Sequence, residues 1–181
     1  MTRITFTFAA MFMSSIAFGA TIDGDRSVFT WTGSKITGSK HFGNLSPVSS
    51  DIAVTGGELS GGTVERDLRT FTVNDLEGKW AQKFLTHMKS TDFFNVAEFP
   101  TAKLTMKSVT NGTASGTLTI RGKSHPVTFP VSKKDGGYVG TMTFDRTKYG
   151  MVYKSGSFFV DLGDKVINDE VTVDFEVYLT E

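Results

Sequence analysis

Three histidines, scattered serines and carboxylates, and one arginine–tyrosine pair are the side chains of this 181-residue chain with the types for bond chemistry. Their spacing argues against most of it. His41, His87 and His125 fall in a loop, at a helix end and in a turn. No HxH or HExxH spacing joins them, so a zinc site would have to be assembled by folding. His87 instead suits the negative end of a helix dipole, and His125-Pro126 suits a turn. No serine stands in a G-x-S-x-G elbow. Asp174 and Glu176 alternate with apolar residues and read as a wet strand face, and no close buried carboxylate pair is visible for acid–base work. Cysteine is absent, which removes thiolate catalysis, cysteine-held zinc, iron–sulfur clusters and covalent haem. Neither GxxxxGK[ST] nor a helix-opening GxGxxG is present. The expectation is a protein that is not an enzyme, with no catalytic residue, no metal and no cofactor. Arg146 and Tyr149 remain as a polar pair, beside a large stock of apolar and aromatic side chains, 16 of them phenylalanine.

Those apolar residues are spaced for strands. Val171, Val173, Phe175, Val177 and Leu179 alternate with Thr172, Asp174, Glu176 and Tyr178, the period-2 pattern of one dry and one wet face. Residues 101–109 repeat it with Ala102, Leu104 and Met106, and residues 113–121 with Ala114, Gly116, Leu118 and Ile120. Asn111-Gly112 joins those two as a tight hairpin, because both residues tolerate positive φ. Asp135-Gly136-Gly137 marks a second hairpin, between 127–132 and 138–145. Further strands are expected at 27–33, 51–54, 62–68 and 155–161. Only residues 75–89 break the rhythm. There Leu76, Trp80, Phe84 and Met88 form an i, i+4 stripe, a helix whose apolar face packs on the core or caps a barrel end. About eight or more antiparallel strands and one short helix predict an all-β barrel, since closure removes exposed sheet edges.

Residues 1–20 have the layout of a cleavable secretory signal: Arg3, then an apolar run, then Ala17-Phe18-Gly19 before a cut after Gly19 or Ala20. The run is short for a membrane span of about 30 Å. The expected organisation is a signal at 1–20 and one domain at 21–181, periplasmic or secreted. Formal net charge is +0 with both signs interspersed, so no basic stripe exists for nucleic acid.

One segment is more distinctive than the rest. Met88, Lys89-Ser90, Asp92-Phe93-Phe94 and Phe99-Pro100, followed by a strand, resemble the signature of the YceI-like family of bacterial lipid-binding proteins. Trp31-Thr32-Gly33-Ser34-Lys35 with Gly38 resembles that family's first strand and turn. Leu118-Thr119-Ile120-Arg121-Gly122 with Pro126-Val127 resembles its L-x-I-x-G…P-V element. Phe144 to Gly150 resembles F-x-R-x-x-[YF]-G, and Asp169-Glu170-Val171 resembles its D-E-V. The motifs run in the family's order across nearly all of residues 21–181. Two places depart: the glycine-rich stretch 51–62, and the loop Ser39-Lys40-His41-Phe42-Gly43.

The resemblance implies a lipocalin-like barrel holding a long isoprenoid lipid, polyprenyl or quinone-type, as a carrier without enzymatic activity. It also implies transient contact with the membrane or its enzymes and a link to stress responses, as a monomer or homodimer. Trp31, Phe93, Phe94, Leu104, Met106, Leu118, Ile120, Phe144 and Phe175 are the candidates to line an apolar lumen. The same residues would equally fill a solid core. Arg146 and Tyr149 offer donors for a quinone or phosphate head. Alternatively Arg146 pairs with Asp145 or Asp169, and Tyr149 packs on a turn. Two other functions stay open: a ligand-free interaction protein with bulky residues meeting across the axis, and a lipid isomerase or cyclase with a buried polar pair in the lumen.

Overall fold

The computed structural model describes residues 17–180. Eleven strands and one α-helix follow in the order β1 (Ala17–Ile22), β2 (Val28–Ser34), β3 (Lys40–Asn44), β4 (Pro47–Thr55), β5 (Glu58–Asp67), α1 (Gly78–Lys89), β6 (Thr101–Thr110), β7 (Thr113–Ile120), β8 (Lys123–Lys134), β9 (Gly137–Asp145), β10 (Glu170–Val177) and β11 (Leu179–Thr180). All pair antiparallel in one sheet, ordered β11-β1-β4-β5-β6-β7-β8-β9-β10-β2-β3.

The count is eleven rather than about eight because three long strands are bent. β1 continues into β2, β3 into β4, and β10 into β11, each across a short interruption. β11 pairs with β1 while β10 pairs with β2, so the sheet curls round until its first and last strands meet. At this seam the Asp23 amide donates to the Tyr178 carbonyl (2.9 Å) and the Tyr178 amide donates to Ser27 Oγ (2.9 Å). A curled sheet of this kind leaves little free edge to recruit other chains.

Local chemistry sets the hairpins. Asn111 and Gly112 have φ of 50° and 72°, the paired left-handed geometry whose twist matches a tight hairpin. Gly56-Gly57, Arg121-Gly122 and Asp135-Gly136 turn the same way. Residues 101–109 and 113–121, expected as paired strands, are β6 and β7, with Leu104 opposite Leu118.

Three expectations are corrected. The loop at 39–43 is strand β3, held between β2 and the chain at 72–74, where the Thr72 and Asn74 amides donate to the Asn44 and Phe42 carbonyls. This approach is close enough that a Cβ on Gly43 would collide with the Thr72 carbonyl, so glycine is a steric requirement there. The strand expected at 155–161 is a run of turns: Phe158 and Phe159 amides both return to the Ser155 carbonyl, and Lys154 and Asp161 have φ of 49° and 60°. In the helix stripe, Leu76 precedes α1 and Trp80 is 62% exposed; the inward face is Phe84, Leu85 and Met88. Ala17–Ala20, the end of the expected signal segment, pair with β4. Residues 1–16, the rest of that segment, lie outside the described residues. No helix among the described residues is long and apolar enough to cross a membrane.

Candidate functional site: an apolar lumen with a buried arginine

The inward faces do not meet across the axis. They enclose a cavity of about 240 Å³, counted as space open to the centre of a water molecule. One water needs only about 10–15 Å³ on that measure, so this is no packing defect. The solid-core alternative required its absence.

All nine apolar candidates stand on the cavity wall: Trp31, Phe93, Phe94, Leu104, Met106, Leu118, Ile120, Phe144 and Phe175. Strand alternation puts them there. On β10 and β11 the entire dry set, Val171, Val173, Phe175, Val177 and Leu179, faces the cavity. Phe29 stacks on Phe175 at 6.3 Å, and Phe129 meets Phe175 edge-on at 5.8 Å.

Aromatic rings gather where α1 crosses the barrel end. Phe84 of α1 stacks on Trp31, with centroids 5.9 Å apart and planes 5° from parallel. Phe71 packs edge-on against both Trp31 and Phe94. The indole of Trp31 donates to the Thr72 carbonyl at 2.9 Å, which fixes its ring. No residue of α1 is fully buried, so the helix is seated on this cluster by one face only. His41 Nδ1 donates to Asp75 at 2.7 Å and the Phe42 amide to the same carboxylate at 3.0 Å. Burial alone would raise the Asp75 pKa; those two donors outweigh it and hold the carboxyl below the usual range.

The three histidines stay apart. His41 sits on Asp75 and Phe84, His87 on Asp92 and Tyr153, and His125 on the Lys148 carbonyl.

Of the two roles open to the head-group candidates, the structure shows the alternative ones: Arg146 pairs with Asp169 and Tyr149 is packed away from the lumen. Arg146 reaches the wall, but its donors are engaged. Nε donates to the Asn168 carbonyl (3.0 Å), Nη2 to the Ile167 carbonyl (3.0 Å) and Asp169 (3.3 Å), and Nη1 to the Met151 carbonyl. It ties the 146–169 connection to the barrel end. Burial lowers its pKa while Asp169 and Asp145 pull it back. Asp169 is not part of the wall and also accepts from Ser157 (2.7 Å), so the pair is a structural tie and not a lumenal acid–base pair. Tyr149 is off the wall altogether. It is 1% exposed and packs between His125 and Phe144, where β8 and β9 pair only from Val131 to Lys134. Its ring lies beside the split beyond, with β8 residues His125 to Thr128 and β9 residues Thr143 to Asp145. Burial pushes its hydroxyl up to about 12.

A buried charged residue of the lumen that sequence reasoning missed is Arg66. It is 7% exposed, on β5, between Val64 and Leu68, which both line the cavity. Among the described residues neither Nη1 nor Nη2 has a hydrogen-bond partner. Its one contact of note is the face of Phe29, 3.4 Å from the guanidinium carbon. A cation–π contact contributes about 0.5–2 kcal/mol, whereas desolvating an unpaired ion costs several. Burial accordingly depresses its pKa to about 9, which still leaves it charged at neutral pH. The signal was present in the chain: in V-x-R-x-L, alternation places an arginine on the dry face.

Comparison with known proteins agrees with the barrel. A 76-residue stretch is 38% identical to UPF0312 protein SAB2563 of Staphylococcus aureus (strain bovine RF122 / ET3-1), covering 36% of this chain and 44% of that one; the chain thus spans under half the length of that curated relative. Among solved structures, BcnA of Burkholderia cenocepacia superposes with a TM-score of 0.65 at 16% identity, over 88% of this chain and 99% of that one. A polyisoprenoid binding domain from Saccharophagus degradans, implicated in plant cell wall breakdown, gives 0.61 at 16% identity, over 88% and 97%. At such identity these two speak for the fold alone. The model of the YceI-like domain matches residues 21–179; with that span and this curled sheet of antiparallel strands, the chain belongs to the YceI-like family.

Proposed function

We propose that the protein is a binding protein, not an enzyme, that carries a long isoprenoid lipid in its lumen, in the periplasm or outside the cell. The observation that carries this reading is the continuous apolar cavity, walled by side chains from strands all round the barrel and from α1. A water-filled space with such walls is unfavourable, and a hydrocarbon chain relieves it. At about 0.8 kcal/mol per buried methylene, one five-carbon isoprene unit contributes several kcal/mol. A long tail would reach the general ceiling on non-covalent affinity before using all of its surface. Binding is therefore tight and discriminates weakly among tail lengths. The S. degradans protein that shares this fold is itself a polyisoprenoid binding domain. The test is mass spectrometry of the organic extract from protein purified out of its native compartment. The expected result is a stoichiometric prenyl lipid. A clean extract from folded protein that also takes up no added prenyl lipid would overturn the reading.

A further inference from the structure

The charges on the cavity wall are of one sign. Lys35, Arg66 and Arg146 line it, with His41, and among the described residues no aspartate or glutamate does. Lys35 is exposed, and Arg146 is committed to carbonyls and Asp169. Arg66 is different: buried, on the wall, and with both terminal nitrogens unpartnered among the described residues. Those two nitrogens form the planar fork that engages two oxygens of one anion side by side. A lipid supplying only hydrocarbon would leave the fork as it stands. One with two anionic oxygens would neutralise the charge and satisfy the donors in a single contact.

We propose that Arg66 anchors the ligand's head group inside the lumen, and that this head group is an anionic oxygen pair, a carboxylate or a phosphate monoester, carried on an apolar chain. This deepens the lipid-binding reading and rests on it.

The experiment compares farnesyl phosphate with farnesol, and palmitate with hexadecanol, on the lipid-stripped protein by titration calorimetry. The proteins are the wild type, Arg66→Met and Arg66→Lys. The wild type is expected to prefer at least one anion over its neutral alcohol by about tenfold or more, the value of a charge-assisted hydrogen bond. Whichever pair shows the preference names the head group. Arg66→Met should bring that ratio near one while still binding the alcohol, and Arg66→Lys should restore part of it. Equal binding of anion and alcohol by the wild type overturns the Arg66 proposal and leaves the lipid reading standing. So does a preference that survives in a folded Arg66→Met protein. Failure of the wild type to bind all four compounds overturns both.

Discussion

Two buried arginines make opposite demands on the same barrel. Arg146 donates to three backbone carbonyls and to Asp169, so removing it takes a donor from each carbonyl and the cation from Asp169. Arg146→Met should cost about 3–5 kcal/mol, as for other broken buried ion pairs, seen as a lower midpoint in chemical denaturation. Arg66 has no such partners, and an unpaired buried charge carries a desolvation cost of several kcal/mol that an apolar chain of similar volume escapes. Arg66→Met should therefore match or exceed the wild type in the lipid-free state. A large loss there would mean that Arg66 is a structural tie like Arg146. Only one of these roles was legible beforehand. The D-E-V and F-x-R-x-x-[YF]-G motifs drew attention to Arg146, with Asp145 and Asp169 named as its alternatives. Arg66 lies in no motif, and its meaning depends on which neighbours the fold supplies.

At the scale of elements, what could be read was what alternates. β6, β7, β9 and β10 were expected within two residues of their observed bounds, because alternation and Asn-Gly or Asp-Gly turns are local signals. β3 could not be found this way. Its sequence, KHFGN, has no such pattern, and its strand geometry comes from pairing with β2 and from contact with residues 72–74. The error at 155–161 has the converse origin. The run Ser157–Val160 is apolar enough for a strand, but turn hydrogen bonds hold it, and Phe158, Phe159 and Val160 are exposed.

Helix α1 is held by one face only, since none of its residues is fully buried. Phe84→Ala removes its stacking on Trp31 and its contact with His41. Aromatic pairs contribute about 0.5–1.5 kcal/mol each beyond buried area, so lipid should exchange several-fold faster in stopped-flow competition. An unchanged rate would show that the chain enters elsewhere. The Asp75 clasp adds a pH dependence. The folded pKa of Asp75 lies below its unfolded value. Its contribution is therefore present above the unfolded pKa, about 3.9, and is lost as pH falls through the lower folded value. Hydrogen exchange at the Phe42 amide should accelerate over that acid range in the wild type. In Asp75→Ala, which removes the acceptor of the Phe42 amide, the exchange should already be fast at neutral pH and lack the acid step.

Across the whole molecule, the barrel exists because three long strands bend. Counting alternating runs gave about eight strands; the bends at 23–27, at 45–46 and at Tyr178 divide those into eleven. The bends also let β10 and β11 meet β2 and β1, which brings the sheet round a cavity instead of leaving it flat. Whether that interior would be hollow was not legible, because inward apolar residues look the same in a filled barrel as in an open one. Volume across the axis is a property of the assembled ring.

The central claim, that an isoprenoid chain occupies the lumen, is tested most directly by photo-cross-linking with a prenyl chain bearing a terminal benzophenone, followed by peptide mapping. Labelling should fall on wall residues such as Leu104, Leu118, Val173 and Phe175, and excess unlabelled prenyl lipid should suppress it. Labelling confined to the exposed Phe158–Val160 turn and Trp80, with the wall untouched, would contradict the account.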